Sequence, residues 1–285
     1  MSVARPSKIS RSVTHLALFL LAVVVLLPYA WLLVASLKSR DDFFSGLFFP
    51  PGEGFLGISW DSLTLENYSN LFDTGFGRAA INSVFYASTS AIFATIICAA
   101  TGYVLAKSKF RGRTFITLVV LGSLIVPPTL LIAPSYELLY NLGLLDSVWG
   151  LLLPTFGPAF GVFLFRQAVQ QSVPDELIEA ARIDGCSEFG IFIIIVLPLI
   201  RPMVGAFLLI TFLGMWNNFI SPQIVLQTAS KQPLSVAISQ LRGVYRTDYG
   251  LLMAATVVSI APVAVLFLVL QKQFISGLTS GAVKG

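Results

Sequence analysis

The chain has 285 residues, of which 56% are hydrophobic and only 11% are charged. Soluble domains carry roughly 25% charged residues, so this composition excludes a water-soluble globule and indicates a protein that lies in lipid. The net charge of +4 does not indicate nucleic-acid binding, because the basic residues cluster beside apolar segments, as they do in membrane proteins.

Uncharged apolar runs of 18 residues or more are long enough to cross a bilayer as helices. We count six such runs: Leu16–Val34, Ile81–Ala106, Phe115–Ile132, Val148–Phe165, Met203–Ile220 and Leu251–Val269. The first run has the basic flank of a signal peptide but is longer than a signal core, so we interpret it as a retained helix. The sequence therefore predicts an all-α membrane protein with six transmembrane helices in one domain over residues 1–285.

Loop charge predicts the orientation. Basic residues fill the N-terminal segment and the loop Lys107–Thr114, which places both in the cytoplasm by the positive-inside rule. Alternation then puts residues 166–202 and the tail 271–285 in the cytoplasm, with both termini. The loop Ser221–Gly250 should lie outside, although Lys231, Arg242 and Arg246 give it an excess of basic residues.

Four prolines interrupt the third and fourth runs: Pro127, Pro128, Pro154 and Pro158. Each removes a backbone donor that lipid cannot replace. A kinked helix packed on its neighbours explains any one of them. Together they favour a region that lines a transport pathway.

The cytoplasmic loop of residues 166–202 contains the pattern of a short amphipathic helix. Ser172 is a candidate N-cap, Pro174 suits a first turn, and Gly185 is placed as a C-terminal stop, so we predict a helix over Val173–Asp184. Leu177, Ala180, Ala181 and Asp184 share one face, on which the alanines allow close approach of another surface. A second helix should begin near Ser187 and lead into the fifth membrane helix.

This loop resembles the "EAA" motif of the permease subunits of bacterial and archaeal ABC importers. The resemblance rests on Glu179-Ala180-Ala181, Gly185 four positions later, and Ile195-x-Leu197-Pro198. It implies that this helix couples the permease to separate ATPases. The implied coupling residues are Glu179, Ala180, Ala181, Arg182, Asp184, Gly185, Leu197 and Pro198.

Further stretches are similar to the carbohydrate-uptake branch, in its MalG-like subunit. They are Ser36-Leu37-Lys38, Asn82-Ser83, Trp216-Asn217-Asn218-Phe219 and the ending Gly277–Gly285. The resemblance implies the type I importer permease fold in a bacterial or archaeal cell membrane. It also implies a MalF-like second permease, two ATPase subunits and an extracellular solute-binding protein as partners, and a tail whose residues Gly277, Gly281, Lys284 and Gly285 contact the ATPases.

The chain has no G-x-x-x-x-G-K-[ST] phosphate-binding loop. We therefore expect no enzymatic activity and no cofactor in this chain, with ATP and Mg²⁺ acting on the partner ATPases. The only histidine, His15, lies at a helix edge and is better explained as an interfacial residue than as a catalyst.

Three questions stay open at this point. The runs contain no acidic residues, which disfavours an ion-gradient-driven carrier but leaves it as an alternative. A non-carbohydrate solute is a second alternative. Trp216, Asn217, Asn218, Pro127 and Pro128 are candidates for a substrate path, although for either asparagine alone a hydrogen bond to a neighbouring helix is the better explanation.

Overall fold

The computed structural model describes residues 8–40, 42–242 and 248–282. Within these ranges the chain is helical and contains no named strand, and extended pairing is limited to isolated bridges, Lys38 with Leu63 and Pro51 with Ile58. The predicted all-α class is confirmed.

Three long helices and several shorter ones make up the fold. The long ones are α1 (Lys8–Ser36), α3 (Phe76–Lys107) and α14 (Tyr249–Ala282). The shorter ones before residue 184 are α2 (Glu66–Asp73), α4 (Arg113–Ser123), α5 (Ile132–Asn141), α6 (Val148–Leu152), α7 (Ala159–Ser172) and α8 (Asp175–Ile183). The later ones are α9 (Glu188–Ile191), α10 (Leu197–Leu199), α11 (Arg201–Trp216), α12 (Ile220–Val225) and α13 (Leu234–Gln240).

Four helical segments of the described chain are long and apolar enough to cross a membrane, and counting each of two sharply bent pairs as one span raises the number to six. The four are Arg11–Ser36, Phe76–Lys107, Val148–Ser172 and Tyr249–Val269. The protein is therefore a multi-pass membrane protein of four to six spans.

The first bent pair falls on the third predicted run. Helix α4 ends at Ser123, and the chain turns by 97° before the segment Pro128–Asn141. Pro127 is extended and Pro128 opens a 3₁₀ turn, because neither residue can donate the backbone bond that would continue α4. The run Phe115–Ile132 is thus not one straight helix.

The second bent pair falls between the cytoplasmic segment and the fifth run. The segment Glu188–Leu199 meets α11 at 83°, around Ile200, with Pro202 in the first turn of α11. The second cytoplasmic helix thus leads into the fifth membrane helix, as the sequence predicts, but through a sharp bend that the sequence did not predict.

Contacts group the chain into two compact units. The first unit comprises residues 1–75 and 238–260, and the second comprises residues 76–237 and 261–285. In the second unit α3 packs on α7 and α11. Small residues allow this approach: a Cβ added at Gly102 would lie 2.7 Å from the backbone nitrogen of Arg166.

In the first unit, the residues that follow α1 form a buried hydrogen-bond network. The side chain of Lys38 is buried, and its Nζ donates to the carbonyl of Gly46 at 2.6 Å. Asn67 Nδ2 donates to the carbonyls of both Ser36 and Lys38 at 2.8 Å. Burial lowers the pKa of Lys38, while the nearby Asp42 charge opposes that shift. The Ser36-Leu37-Lys38 stretch thus has a structural explanation within this unit.

Candidate functional site

The segment that resembles the EAA motif folds as α8, which covers Asp175–Ile183. The predicted cap at Ser172 was wrong, because Ser172 is the last residue of α7, and Pro174 occupies the N-cap position of α8 without a side-chain cap. Instead, the negative charges of Asp175 and Glu176 in the first turn and the positive charge of Arg182 in the last turn interact favourably with the helix dipole.

The C-terminus of α8 ends as the sequence predicts. Gly185 has φ +79°, in the left-handed region that suits glycine. Its N–H donates to the carbonyl of Arg182 at 3.1 Å, and that of Cys186 donates to the carbonyl of Ala181 at 3.0 Å. This pair of bonds is a Schellman motif. Ser187 then caps α9 by accepting from the N–H of Gly190, which confirms the predicted second start.

Helix α8 has one face packed on the protein and one face open. Ile178 and Ala181 are buried in the main apolar cluster, together with Val173 and Ile191. Leu177 is 43% exposed, and Ala180 also lies on the open side. The predicted shared face is thus divided, because Ala181 points inward while Leu177, Ala180 and Asp184 stay accessible.

An ion pair ties the start of α8 to the end of α3. Lys107 Nζ lies 2.5 Å from Asp175 Oδ1, with the lysine side chain largely buried and the aspartate exposed. The hydrogen bond from Lys107 lowers the pKa of Asp175.

A second polar link ties the end of α8 to α3 through α9. Arg182 Nε donates to Glu188 Oε1 at 2.6 Å, and the hydroxyl of Tyr103 donates to Glu188 Oε2 at 2.7 Å. The hydrogen bond to Glu188 raises the pKa of Arg182. Both ends of α8 are therefore connected to the same membrane helix, which suits the helix for transmitting movement.

Between α8 and the basic loop lies a polar hollow of about 790 Å³. Its charged lining residues are Lys107, Lys109, Arg113, Asp175, Glu179, Arg182 and Glu188. The carboxylate of Glu179 faces this hollow from the exposed side of α8 and forms no ion pair with the residues that the structure describes.

Leu197 and Pro198 lie on the segment that connects this site to α11. Residues Phe192–Val196 form a π-helical turn directly before α10, in which Phe192 and Val196 are buried. Leu197 packs against the main cluster, and Pro198 is exposed. The proline lacks an N–H, which accounts for the irregular hydrogen bonding of this turn.

The residues proposed for a substrate path do not form one group. Pro128 lines an apolar pocket of about 150 Å³ with Tyr136, Thr155 and Ser221, and that lining does not include Trp216, Asn217 or Asn218. Trp216 is 6% exposed and stacks on Phe212.

Both asparagines bond nearby backbone, Asn217 at the end of α11 and Asn218 at the start of α12. Asn217 Nδ2 donates to the carbonyl of Leu213 at 3.0 Å, and Asn218 Oδ1 accepts from the N–H of Ser221 at 3.2 Å. These bonds favour the structural interpretation of the asparagines, although the side chain of Asn217 stays exposed.

A loop over residues 226–233 is fixed by residues that sequence reasoning missed. Asp146 accepts from the N–H groups of Gln227 and Thr228 and pairs with Lys231 at 2.7 Å. The hydrogen bonds from Lys231 and then Thr228 hold the pKa of the Asp146 carboxyl far below its ordinary value. The excess of basic residues in the loop Ser221–Gly250 was the available signal in the sequence, because it suggested that Lys231 pairs with a carboxylate elsewhere in the chain.

The other side of this loop is held by the start of α3. Asn82 Nδ2 donates to the carbonyls of Ser230 at 2.9 Å and Gln232 at 3.1 Å, and the hydroxyl of Tyr86 donates to the carbonyl of Lys231. Ser83 Oγ accepts from the N–H of Leu234 at 2.7 Å. The Asn82-Ser83 pair thus fixes this loop to α3.

Of the proposed tail contacts, Gly277 and Gly281 lie within α14, which continues to Ala282. Lys284 and Gly285 lie outside the described residues.

The fold and this site define a class: a multi-pass helical membrane protein that carries a short, capped amphipathic helix tied by both ends to one long membrane helix. Residues 91–280 match the family of binding-protein-dependent transport system inner membrane components. The chain belongs to that family and is a permease component of an ABC transport system.

Curated relatives and solved structures agree with this assignment. The chain is 36% identical over 269 residues to the arabinooligosaccharides transport system permease protein AraQ of Bacillus subtilis, with 93% of each chain covered. It is 33% identical to the diacetylchitobiose uptake system permease protein NgcG of Streptomyces coelicolor, over 95% of this chain and 88% of that one. Its fold is similar to a chain of a bacterial ABC transporter involved in alginate import, with a TM-score of 0.78, 22% identity, and coverage of 95% of this chain and 100% of that chain.

Proposed function

We propose that this permease forms half of a translocation path for an oligosaccharide. The support comes from relatives that cover nearly the whole chain and are named for arabinooligosaccharide and diacetylchitobiose uptake. The loop of residues 226–233, whose backbone is bonded by α3 and by Asp146, would lie on the outer side of the membrane by the predicted topology.

The coupling site of this proposal is α8. The observation that carries it is the division of α8 into a buried face, Ile178 and Ala181, and an open face that includes Leu177 and Ala180. A separate ATPase subunit would grip the open face. Because both ends of α8 are tied to α3, movement of the helix would reach the membrane core.

The rest of the assembly follows from this arrangement. A second permease would complete the path, two ATPase subunits would bind and hydrolyse ATP with Mg²⁺, and an extracellular solute-binding protein would deliver the sugar. Residues 166–202 and both termini would lie in the cytoplasm, and the end of the chain, including Gly277 and Gly281, would reach the ATPase pair.

The experiment is uptake of labelled oligosaccharides by cells that express the whole transporter, with the binding protein first screened for its ligand. Wild-type chain should import the sugar that the binding protein retains. Glu179→Lys should abolish uptake, because it reverses the charge on the docking side, whereas Glu66→Lys, an exposed acid on α2, should leave uptake near the wild-type rate. Import of an amino acid or an ion in place of any sugar would refute the proposed substrate class.

A further inference from the structure

A polar cavity at the start of α4 is not explained by coupling or by transport. It has a volume of about 280 Å³ and lies between α4 and α7. Its lining is Arg113, Thr114, Thr117, Leu118 and Arg166. The lining therefore contains two guanidinium groups and two hydroxyls but no carboxylate.

Arg166 carries an unsatisfied donor at this cavity. Its Nε is buried and has no hydrogen-bond partner in the part of the chain that the structure describes. A buried, unpaired donor of a charged group is costly. An anion in the cavity would supply the missing acceptor and a compensating charge.

The guanidinium of Arg113, the second one that lines the cavity, is oriented by backbone carbonyls. Its guanidinium donates to the carbonyls of Ala106 at 3.1 Å and Ser108 at 3.4 Å. Carbonyls orient a guanidinium but do not neutralise it. Arg113 also lines the hollow beside α8, but it forms no ion pair with the residues that the structure describes.

The backbone adds to this positive environment. Helix α4 has 11 residues and begins after Gly112, which has φ +91°, and no side chain caps the helix start. The N–H groups and the dipole of an uncapped helix start favour an anion. Thr114, in this first turn, is exposed and lines the cavity, so its hydroxyl is a further donor.

We propose that this cavity binds the phosphate of an anionic phospholipid. The phosphate chemistry alone would also suit free phosphate, but the surroundings favour the lipid. Phe115 and Leu118 are 70% and 61% exposed directly beside the cavity, which provides an apolar surface for acyl chains. Arg113 opens one membrane-crossing segment, and Arg166 lies near the end of another, so the site is at the level of the headgroups. The inference goes beyond solute transport and does not depend on which solute is carried.

The test is native mass spectrometry of the purified transporter complex titrated with phosphatidylglycerol. The wild-type complex should retain this lipid at a site where phosphatidylcholine binds at least about tenfold more weakly. Both lipids offer a phosphate to the guanidinium groups, but phosphatidylcholine also carries a quaternary ammonium, whose positive charge those groups repel. Arg166→Gln should weaken phosphatidylglycerol binding by about tenfold. Thr114→Val, at an exposed position, tests the same site without disturbing a buried charge and should cause a smaller loss.

Arg111→Gln is the matched control, because Arg111 is an exposed base of the same loop that does not line the cavity. It should bind the lipid like wild type. Equal lipid retention by wild type, Arg166→Gln and Thr114→Val would overturn the proposal, as would binding that does not distinguish phosphatidylglycerol from phosphatidylcholine. Displacement of the lipid by millimolar inorganic phosphate would assign the site to free phosphate and overturn the lipid assignment.

Discussion

Gly185 shows how a single residue can set the geometry of the proposed coupling site. Its φ of +79° closes the Schellman motif that ends α8 and directs the chain towards α9. A Cβ at this position would meet no other atom within 4 Å, so the constraint is conformational and not steric crowding by neighbours.

Replacing Gly185 therefore tests backbone conformation directly. Gly185→Val should cost about 1–2 kcal/mol locally, because a β-branched residue is strained in the left-handed region. We expect weaker co-purification of the ATPase subunits and loss of uptake, with normal membrane insertion. Gly185→Asn is the control, since asparagine tolerates this region, and it should keep most of the uptake. Loss of uptake in both variants alike would point to a different requirement at this position.

The ionisation of Asp146 determines how the anchoring of residues 226–233 depends on pH. Because its folded pKa is depressed, its contribution to the folded state is complete above the ordinary aspartate pKa of about 4 and is lost as the pH falls below it. The anchoring of residues 226–233 should therefore be constant between about pH 5 and 8.

Asp146→Ala should release this loop. The expected result is faster tryptic cleavage after Lys231 and faster hydrogen exchange at the amides of Gln227 and Thr228, which lose their acceptor. Glu137→Gln, a change at another exposed acid on the same predicted side, should alter neither. A wild-type loop that loosens between pH 8 and 5 would contradict the depressed pKa.

At the scale of elements, two neighbouring residues of α8 have different roles: one packs in the permease core, and the other lies on the open face proposed for docking. Ile178 is 2% exposed inside the main cluster, and Leu177 is 43% exposed on the open face. Substitutions at the two positions should therefore have different effects on the permease itself and on its partner.

We expect Ile178→Ala to lower the thermal stability of the permease in detergent without ATPase subunits, by about 2–5 kcal/mol locally, since it leaves a cavity. Leu177→Ala should leave that stability unchanged but reduce co-purification of the ATPases. The two measurements are the melting temperature of the permease alone and the pull-down yield. Equal effects of the two variants on both readouts would show that α8 has no separate docking face.

The sequence predicted helix ends well where residues next to one another in the chain determine them. Gly185 and Ser187 carry the local signals that end α8 and begin α9, and both were recognised. Partners distant in sequence were not recognised: no local pattern connects Asp146 to Lys231, or Glu188 to Tyr103. The bend at Ile200 was missed because Pro198 and Pro202 allow a kink but do not specify its angle.

At the scale of the whole molecule, the membrane topology remains a prediction from loop charge. The ion pair of Lys231 with Asp146 gives one basic residue of the loop Ser221–Gly250 a structural role, which accounts for part of the basic excess that opposes this topology.

Cysteine labelling of intact cells tests this topology. Cys186 is exposed and should first be replaced by serine, whereas Cys98 is buried. An impermeant thiol reagent should then label Glu53→Cys and leave Lys109→Cys unlabelled until the membrane is permeabilised. Labelling of Lys109→Cys in intact cells would reverse the assigned orientation.

The central claim is that ATP hydrolysed by separate subunits drives this permease through α8. The most direct measurement is sugar uptake by proteoliposomes that contain the whole complex and the loaded binding protein, with ionophores present to remove every ion gradient. We expect full uptake when ATP is supplied on the side of α8, and none without it. In a parallel sample without ionophores, uptake that proceeds without ATP and depends on an imposed ion gradient would contradict this claim and indicate an ion-driven carrier.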